Sequence, residues 1–302
     1  MHKQKDILQV VGICRQAYHK HFKRAQAKDF ADVQLVKKVA QARTTMEYRK
    51  MGARPLYYAL GIDKVGINKF EQLLSSQGLN VVTKRNFKKT TNGLRWEEDI
   101  NNIKNTSITD INKVILGDIT YLPVQGTFYY IYTLKDAYSK RIVGLYGAKT
   151  LEAVNAEHCL KQAIRLRGAK TLKGCIHHSD AGVQYKSNLY RKRAKYLNWS
   201  IAANCLENGM AEQLNFILKD HFLEGEKIKN VTQLNVLLGK IKKIINEKRP
   251  VKQLGYKTPV AFEKALEAIP TAQRSAFTFK DPDKRGIAGK GDFKGGISME
   301  ES

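Results

Sequence analysis

Between residues 114 and 149 the chain reads VILGDITYLPV, TFYYIYTLKDA and RIVGLYGAK, three consecutive segments rich in Ile, Val, Tyr and Thr. Such side chains suit a pleated, half-buried surface, and Gln125-Gly126 and Ser139-Lys140 supply the turns between the segments. They predict three antiparallel strands. Downstream the texture alternates. Residues 151–168 (LEAVNAEHCLKQAIRLRG) form an amphipathic pattern ended by Gly168, GCIHHSD (174–180) is a short strand, 188–197 a helix and WSIAA (199–203) a further strand. Helices are expected at 207–223 and 230–247. Three strands in series followed by alternating helix and strand predict an α/β fold: a mixed five-stranded sheet flanked by helices.

Three acids stand out against this pattern. Asp118 lies inside the first strand, Asp180 ends the fourth, where Gly182 lets the chain turn away, and Glu212 lies in a helix. An Asp in mid-strand is disfavoured by propensity and costly if buried alone. Gathered with two more carboxylates it would cost more, unless cations neutralise the set. Two hard divalent ions about 3.5–4 Å apart do so, and they suit phosphoryl transfer. Singly, each acid reads better as a solvent-facing strand-end or helix residue; the order of strand acid, strand-end acid and helix acid is the specific signal. At about 100° per residue, Asn208, Glu212, Asn215 and Lys219 share one side of the 207–223 helix, with Met210, Leu214, Ile217 and Leu218 opposite. Glu207 falls toward the apolar side, where it complements a helix N-terminus. Glu212 is therefore the expected third acid, with Lys219 placed to meet phosphate.

The charge points to a polyanion. Lys and Arg number 53 against 28 Asp and Glu, a net of +25, and such a field favours nucleic acid. Residues 1–95 hold 20 of the basic and 6 of the acidic residues. Within them, helices are expected at 4–27, 29–50, 55–60 and 68–76, the last ended by Gly78. The basic stretch VVTKRNFKKTTN (81–92) follows, with Lys84, Arg85, Lys88 and Lys89 as candidate DNA contacts. The resulting division is a basic helical region at 1–92, a polar linker at 93–112, a core at 113–265 and a flexible Gly-rich tail at 266–302. No apolar run approaches the ~20 residues that cross a bilayer, and no secretion signal opens the chain, so a cytoplasmic, nucleoid-associated protein is expected. The four cysteines have no metal-ligand spacing and are expected as reduced thiols in or near the core. No nucleophilic Ser/Cys/His constellation and no phosphate-cradling loop motif occurs.

At the acids the chain resembles the OrfB-type insertion-sequence transposases, relatives of retroviral integrase in the ribonuclease H-like superfamily. GDITYLPVQGTFYYIYTLKDAYSKRIVG (117–144) is similar to the segment of the first acid, HHSDAGVQY (177–185) to that of the second and ENGMAEQLNFILK (207–219) to the third-acid helix. NEKRPVKQLGYKTPVAF (246–262) is similar to the closing motif, and RPLYYALGIDKVGINKFEQLLSSQGL (54–79) to the helical segment that precedes the core. The 31 residues between Asp180 and Glu212 are fewer than in much of the family, and Val251 stands where many relatives have His. The resemblance implies a ribonuclease H-like core preceded by a small all-helical region. It also implies a DDE mechanism in which Asp118, Asp180 and Glu212 hold two Mg²⁺ (or Mn²⁺) ions, cleaving element 3′ ends and transferring strands. Gln184 and Tyr185 are then candidates to line the DNA groove beside Lys219, and His178 and Asn208 to support the acids. The implied partners are double-stranded DNA (element ends and target), further copies of the chain on that DNA, and the helix-turn-helix product of an upstream frame. Two alternatives remain open, a ribonuclease H-like nuclease that does not join and an inactive DNA-binding regulator.

Overall fold

The computed structural model describes residues 8, 10–82, 101–202 and 208–279, so Lys84, Arg85, Lys88, Lys89, Cys205 and Glu207 lie outside the described residues. The chain divides into two compact units, Met1–Thr83 and Lys84–Ser302.

The first unit is helical. One helix, α1 (Arg15–Arg43), replaces the two expected at 4–27 and 29–50. No Gly or Pro interrupts residues 15–43, so nothing breaks the hydrogen-bond ladder. It starts after Gly12, whose φ of +70° reverses the chain, and Cys14 Sγ caps it by accepting from the Ala17 N–H. α2 (Ala53–Ala59) and α3 (Ile67–Ser76) follow, and Val39, Met51, Leu56, Phe70 and Leu74 form the core. The Arg43 guanidinium donates to the carbonyls of Tyr48, Met51 and Leu79, tying the end of α1 to the chain that follows.

The second unit is built on a five-stranded sheet. Its strands are β2 (Val114–Val124), β3 (Thr127–Asp136), β4 (Ile142–Ala148), β5 (Ile176–Ser179) and β6 (Asn198–Ile201), in the order β4-β3-β2-β5-β6. The first three pair antiparallel; β5 and β6 join parallel to β2 and to each other. This is the mixed sheet of the ribonuclease H-like fold, as expected. Helix α4 (Ala153–Arg167) covers one face, ending at Gly168 with φ +82°. α5 (Val183–Lys186) and α6 (Asn188–Arg193) lie between β5 and β6. On the opposite face sits α7 (Gly209–Phe216), which continues as a π-helix over Ile217–Leu223 where one α-helix was expected. α8 (Val231–Glu247) and α9 (Pro259–Leu266) complete the helices.

The packed unit extends beyond 113–265. A two-residue strand β1 (Ser107–Ile108) pairs antiparallel with β7 (Phe277–Thr278), and Ile103, Ile108 and Phe279 are buried with Leu254, Phe262 and Leu266. The described parts of the expected linker (93–112) and tail (266–302) therefore belong to the core. Phe277 and Phe279 supply apolar surface that the Gly- and charge-rich composition beyond them conceals. Of the cysteines, Cys159 and Cys175 are buried with thiols pushed up to about 12 by burial, whereas Cys14 is exposed. Among the described residues no helix is long and apolar enough to cross a membrane.

A buried ion network fastens α9. Glu263 accepts from Arg141 and from both terminal nitrogens of Arg167, and Ser139 Oγ donates to it at 2.6 Å. Burial would raise this carboxyl, but Arg167, Ser139 and Arg141 outweigh it and hold it below its usual value. Its contribution to stability is therefore present above the unfolded-state pKa and lost as pH falls through the folded one. Removing one partner of such a cluster strands the other charges in the core. Glu263→Gln is expected to cost about 3–5 kcal/mol at pH 7, read from the urea denaturation midpoint, with the deficit shrinking in acid.

Candidate active site

The site arises where two parallel strands part. β2 and β5 pair only over Val114–Leu116 and Ile176–His178. Asp118 and Asp180 each lie two residues past the last pair of that ladder, Leu116 and His178. Past this point β2 continues paired with β3 only, and a crevice outside the carboxyl ends of parallel strands is where α/β sheets bind ligands. The backbone here is tightly packed. A Cβ on Gly117 would lie 3.0 Å from the His177 ring, so only glycine lets this strand lie against the histidine.

α7 closes the site through two amides. Asn208 Nδ2 donates to the Gly117 carbonyl at 3.2 Å, and Asn215 Nδ2 donates to Asp118 Oδ2. Ala211 and Leu214 pack inward while Glu212 is exposed. The Asp118 carboxyl is pushed up to about 7, first by burial, then by Asp180 and to a lesser extent Glu212; the Ile119 N–H and Asn215 oppose the rise. The acids are thus electrostatically coupled through Asp118. Asp180 is open to solvent yet crowded enough for burial to raise its carboxyl against the Gly182 N–H, which donates to Oδ1 at 3.3 Å. Burial raises Glu212 as well. Among the described residues, no three His, Cys, Asp or Glu side chains are gathered tightly enough to hold a metal ion as they stand. Carboxylate oxygens are the donors that hard divalent cations take.

The remaining expected site residues divide. Lys219 lies near Asp118, whose charge favours its ammonium against the effect of burial. Asn208 positions the strand of the first acid. Gln184 and Tyr185, expected to line the DNA groove, are instead buried: Gln184 Nε2 donates to the Leu151 carbonyl at 3.0 Å, and Tyr185 packs against His177 and Tyr190. The short helix α5 turns both inward, which a strand-end motif does not reveal. His178 is buried with Nδ1 2.8 Å from Ser200 Oγ, its described bond directed to β6 rather than Asp180. His177 is a packed aromatic, pushed down to about 3 by burial and so neutral, with Nε2 2.9 Å from the Tyr190 hydroxyl.

Two buried lysines had gone unnoticed. Lys135 Nζ reaches the Met210 carbonyl at 3.5 Å and Lys140 Nζ the Met210 Sδ at 3.4 Å, bracing the start of α7 two residues before Glu212. Burial pushes their ammonium groups down to about 8 and about 7. A lysine within an otherwise apolar strand, TLKDA, was the signal.

The sequence is similar to known proteins along most of its length. Residues 109–206 match the integrase core domain family. The chain is 28% identical over 268 residues to the 31 kDa protein of insertion element IS600 from Shigella sonnei, covering 84% of this chain and 96% of that protein. It is 30% identical over 159 residues to the transposase for insertion sequence element IS904 from Lactococcus lactis, covering 51% of this chain and 62% of that one. Among solved structures, the HTLV-2 integrase catalytic core domain in complex with magnesium aligns with a TM-score of 0.41 at 18% identity, over 50% of this chain and 96% of that one. The chain is thus similar to the integrase core domain family around its first two acids and to insertion-sequence proteins along most of its length.

A raised carboxyl fixes the sign of a pH effect. Asp118 binds its proton up to about pH 7 when folded but only to about 3.8 when unfolded. Its burden on stability is absent below the lower value, grows as pH rises between the two and is full above 7. In metal-free protein, Asp118→Asn is expected to stabilise by about 2–4 kcal/mol at pH 8, fading toward pH 4. Thermal melts across that range test this, and a gain independent of pH would remove the coupling.

Proposed function

We propose that the protein is a DNA transposase that cleaves the 3′ ends of its element and joins them to target DNA, with Asp118, Asp180 and Glu212 as the catalytic acids. The observation carrying this reading is the position of Asp118 just past the end of the β2–β5 ladder, its carboxyl held by Asn215 from the helix that bears Glu212. Mg²⁺ or Mn²⁺, two ions per site, would be held by these carboxylates and would supply charge neutralisation and activation of the attacking oxygen. The chain's own contribution is placement. Parallel pairing joins the strands of Asp118 and Asp180, Asn215 orients the Asp118 carboxyl, and the braced α7 brings in Glu212 from the other side. Lys219 offers a cation to a phosphate in the crevice.

The partners in this reading are duplex DNA at the element ends and the target, further copies of the chain on that DNA, and the helix-turn-helix product of an upstream frame. The basic region 1–92 supplies non-specific phosphate contact, and the working compartment is the cytoplasm, at the nucleoid.

Glu212→Gln is expected to abolish cleavage and joining while leaving DNA affinity and melting behaviour near wild type. Activity is expected to vanish in excess EDTA and return with Mg²⁺ or Mn²⁺. Duplexes labelled at the 3′-hydroxyl distinguish joining from hydrolysis; cleavage with no joined product would favour a nuclease, and an inactive wild type that still binds DNA would favour a regulator. Deleting residues 1–95 is expected to weaken binding to all sequences and flatten the dependence of log affinity on log salt. An unchanged slope would assign the phosphate contacts to the core.

A further inference from the structure

The β2–β3 hairpin carries two aromatic rings in solvent beside the acids. Tyr121 and Phe128 are each 50% exposed, while their neighbours Leu122, Val124 and Tyr129 are buried. Single exposed aromatics are ordinary on protein surfaces; these two are placed together. They sit diagonally across the ladder, Phe128 being two residues before Tyr130, the partner of Tyr121. Their rings meet edge to face at 5.6 Å and 90°. Tyr121 follows Asp118 by three residues, roughly 10 Å along the strand, and by the two-residue alternation starts from the other side of the sheet. Beyond Leu116, β2 has no partner on the β5 side, so this ring stands at an open edge. Lys219 comes round that edge from the π-helix, its Nζ 4.4 Å from the Tyr121 ring centroid.

We propose that Tyr121 and Phe128, with Lys219, form a stacking platform for an unpaired DNA base next to the reacting phosphate. The proposal rests on the reading that the site acts on DNA, and it names the form of that DNA: an end whose last nucleotides have left the duplex. Aromatic rings bind bases of any sequence through their faces, and a nearby cation takes the backbone. In a duplex both faces of a base are occupied by its neighbours, so the platform serves only a base withdrawn from the stack. Lys219, which reaches the Tyr121 ring and lies within the field of Asp118, links the platform to a phosphate held at Asp118. A chain with a net charge of +25 favours a polyanion over a neutral protein surface as the occupant.

The test uses the full chain in EDTA, so that nothing is cleaved. Two probes are compared, a blunt 20-base-pair duplex and the same duplex with three unpaired 3′ nucleotides, one of them 2-aminopurine. Wild type is expected to bind the tailed duplex about tenfold more tightly and to quench the 2-aminopurine fluorescence. Tyr121→Ala and Phe128→Ala should each reduce both effects without changing affinity for the blunt duplex, and Tyr121→Trp should preserve them. Equal binding of the two probes by wild type, or an intact preference and quench in the Tyr121→Ala, Phe128→Ala double variant, would overturn the platform while leaving the DNA reading in place. Altered sedimentation of that double variant with its tail preference unchanged would also overturn it, assigning the rings to contact between copies of the chain. Failure of wild type to bind either duplex would overturn both readings.

Discussion

The second unit depends on how little β2 and β5 pair. Three residues of each strand are joined, and there the ladder stops. Had it continued, hydrogen bonding would have filled the crevice and buried Asp118 and Asp180 in the middle of a sheet, where two carboxylates without cations would be prohibitive. Had it been absent, nothing would hold the strands of the two acids together. Gly117 and His177 lie within this junction, and the ring fills the space a side chain at 117 would need. The short ladder is thus what makes the acids both neighbours and accessible.

Around that junction the protein accepts electrostatic cost on one face and recovers stability elsewhere. Asp118 is destabilised by burial and like charge; nearby, Lys135 and Lys140 are buried cations whose contacts are to Met210 atoms and, for Lys140, the Ala137 carbonyl and Phe277 ring. Opposing these are the apolar packing of Val114, Leu116, Ala211 and Leu254 and the satisfied charges around Glu263. The geometry agrees with strain concentrated where chemistry occurs and offset by rigid surroundings.

Much of this was legible in the sequence. The three strands could be read from runs of β-branched and aromatic residues, and the acids from their incongruity within those runs. The stripe of Asn208, Asn215 and Lys219 also held: the amides bond to Gly117 and Asp118, and Lys219 lies within the field of Asp118. What could not be read depended on tertiary partners. Gln184 and Tyr185 follow the second acid in a motif that looks like loop, and only the turn into α5 shows that they face inward. Residues 29–50 carry Asp29 and scattered valines that suggested a second helix, yet uninterrupted backbone bonding carries α1 through Asp29 as far as Arg43. Ile108 and Phe277 gain meaning only from each other, across 169 positions.

That last pairing has a topological consequence. Asn105 N–H donates to the Phe279 carbonyl and Phe279 N–H to Thr106, both at 2.9 Å, so the chain enters and leaves the second unit through one seam. A circular permutant that joined these ends with a short linker and opened a distant turn, such as Gln125-Gly126, would leave every strand neighbour unchanged.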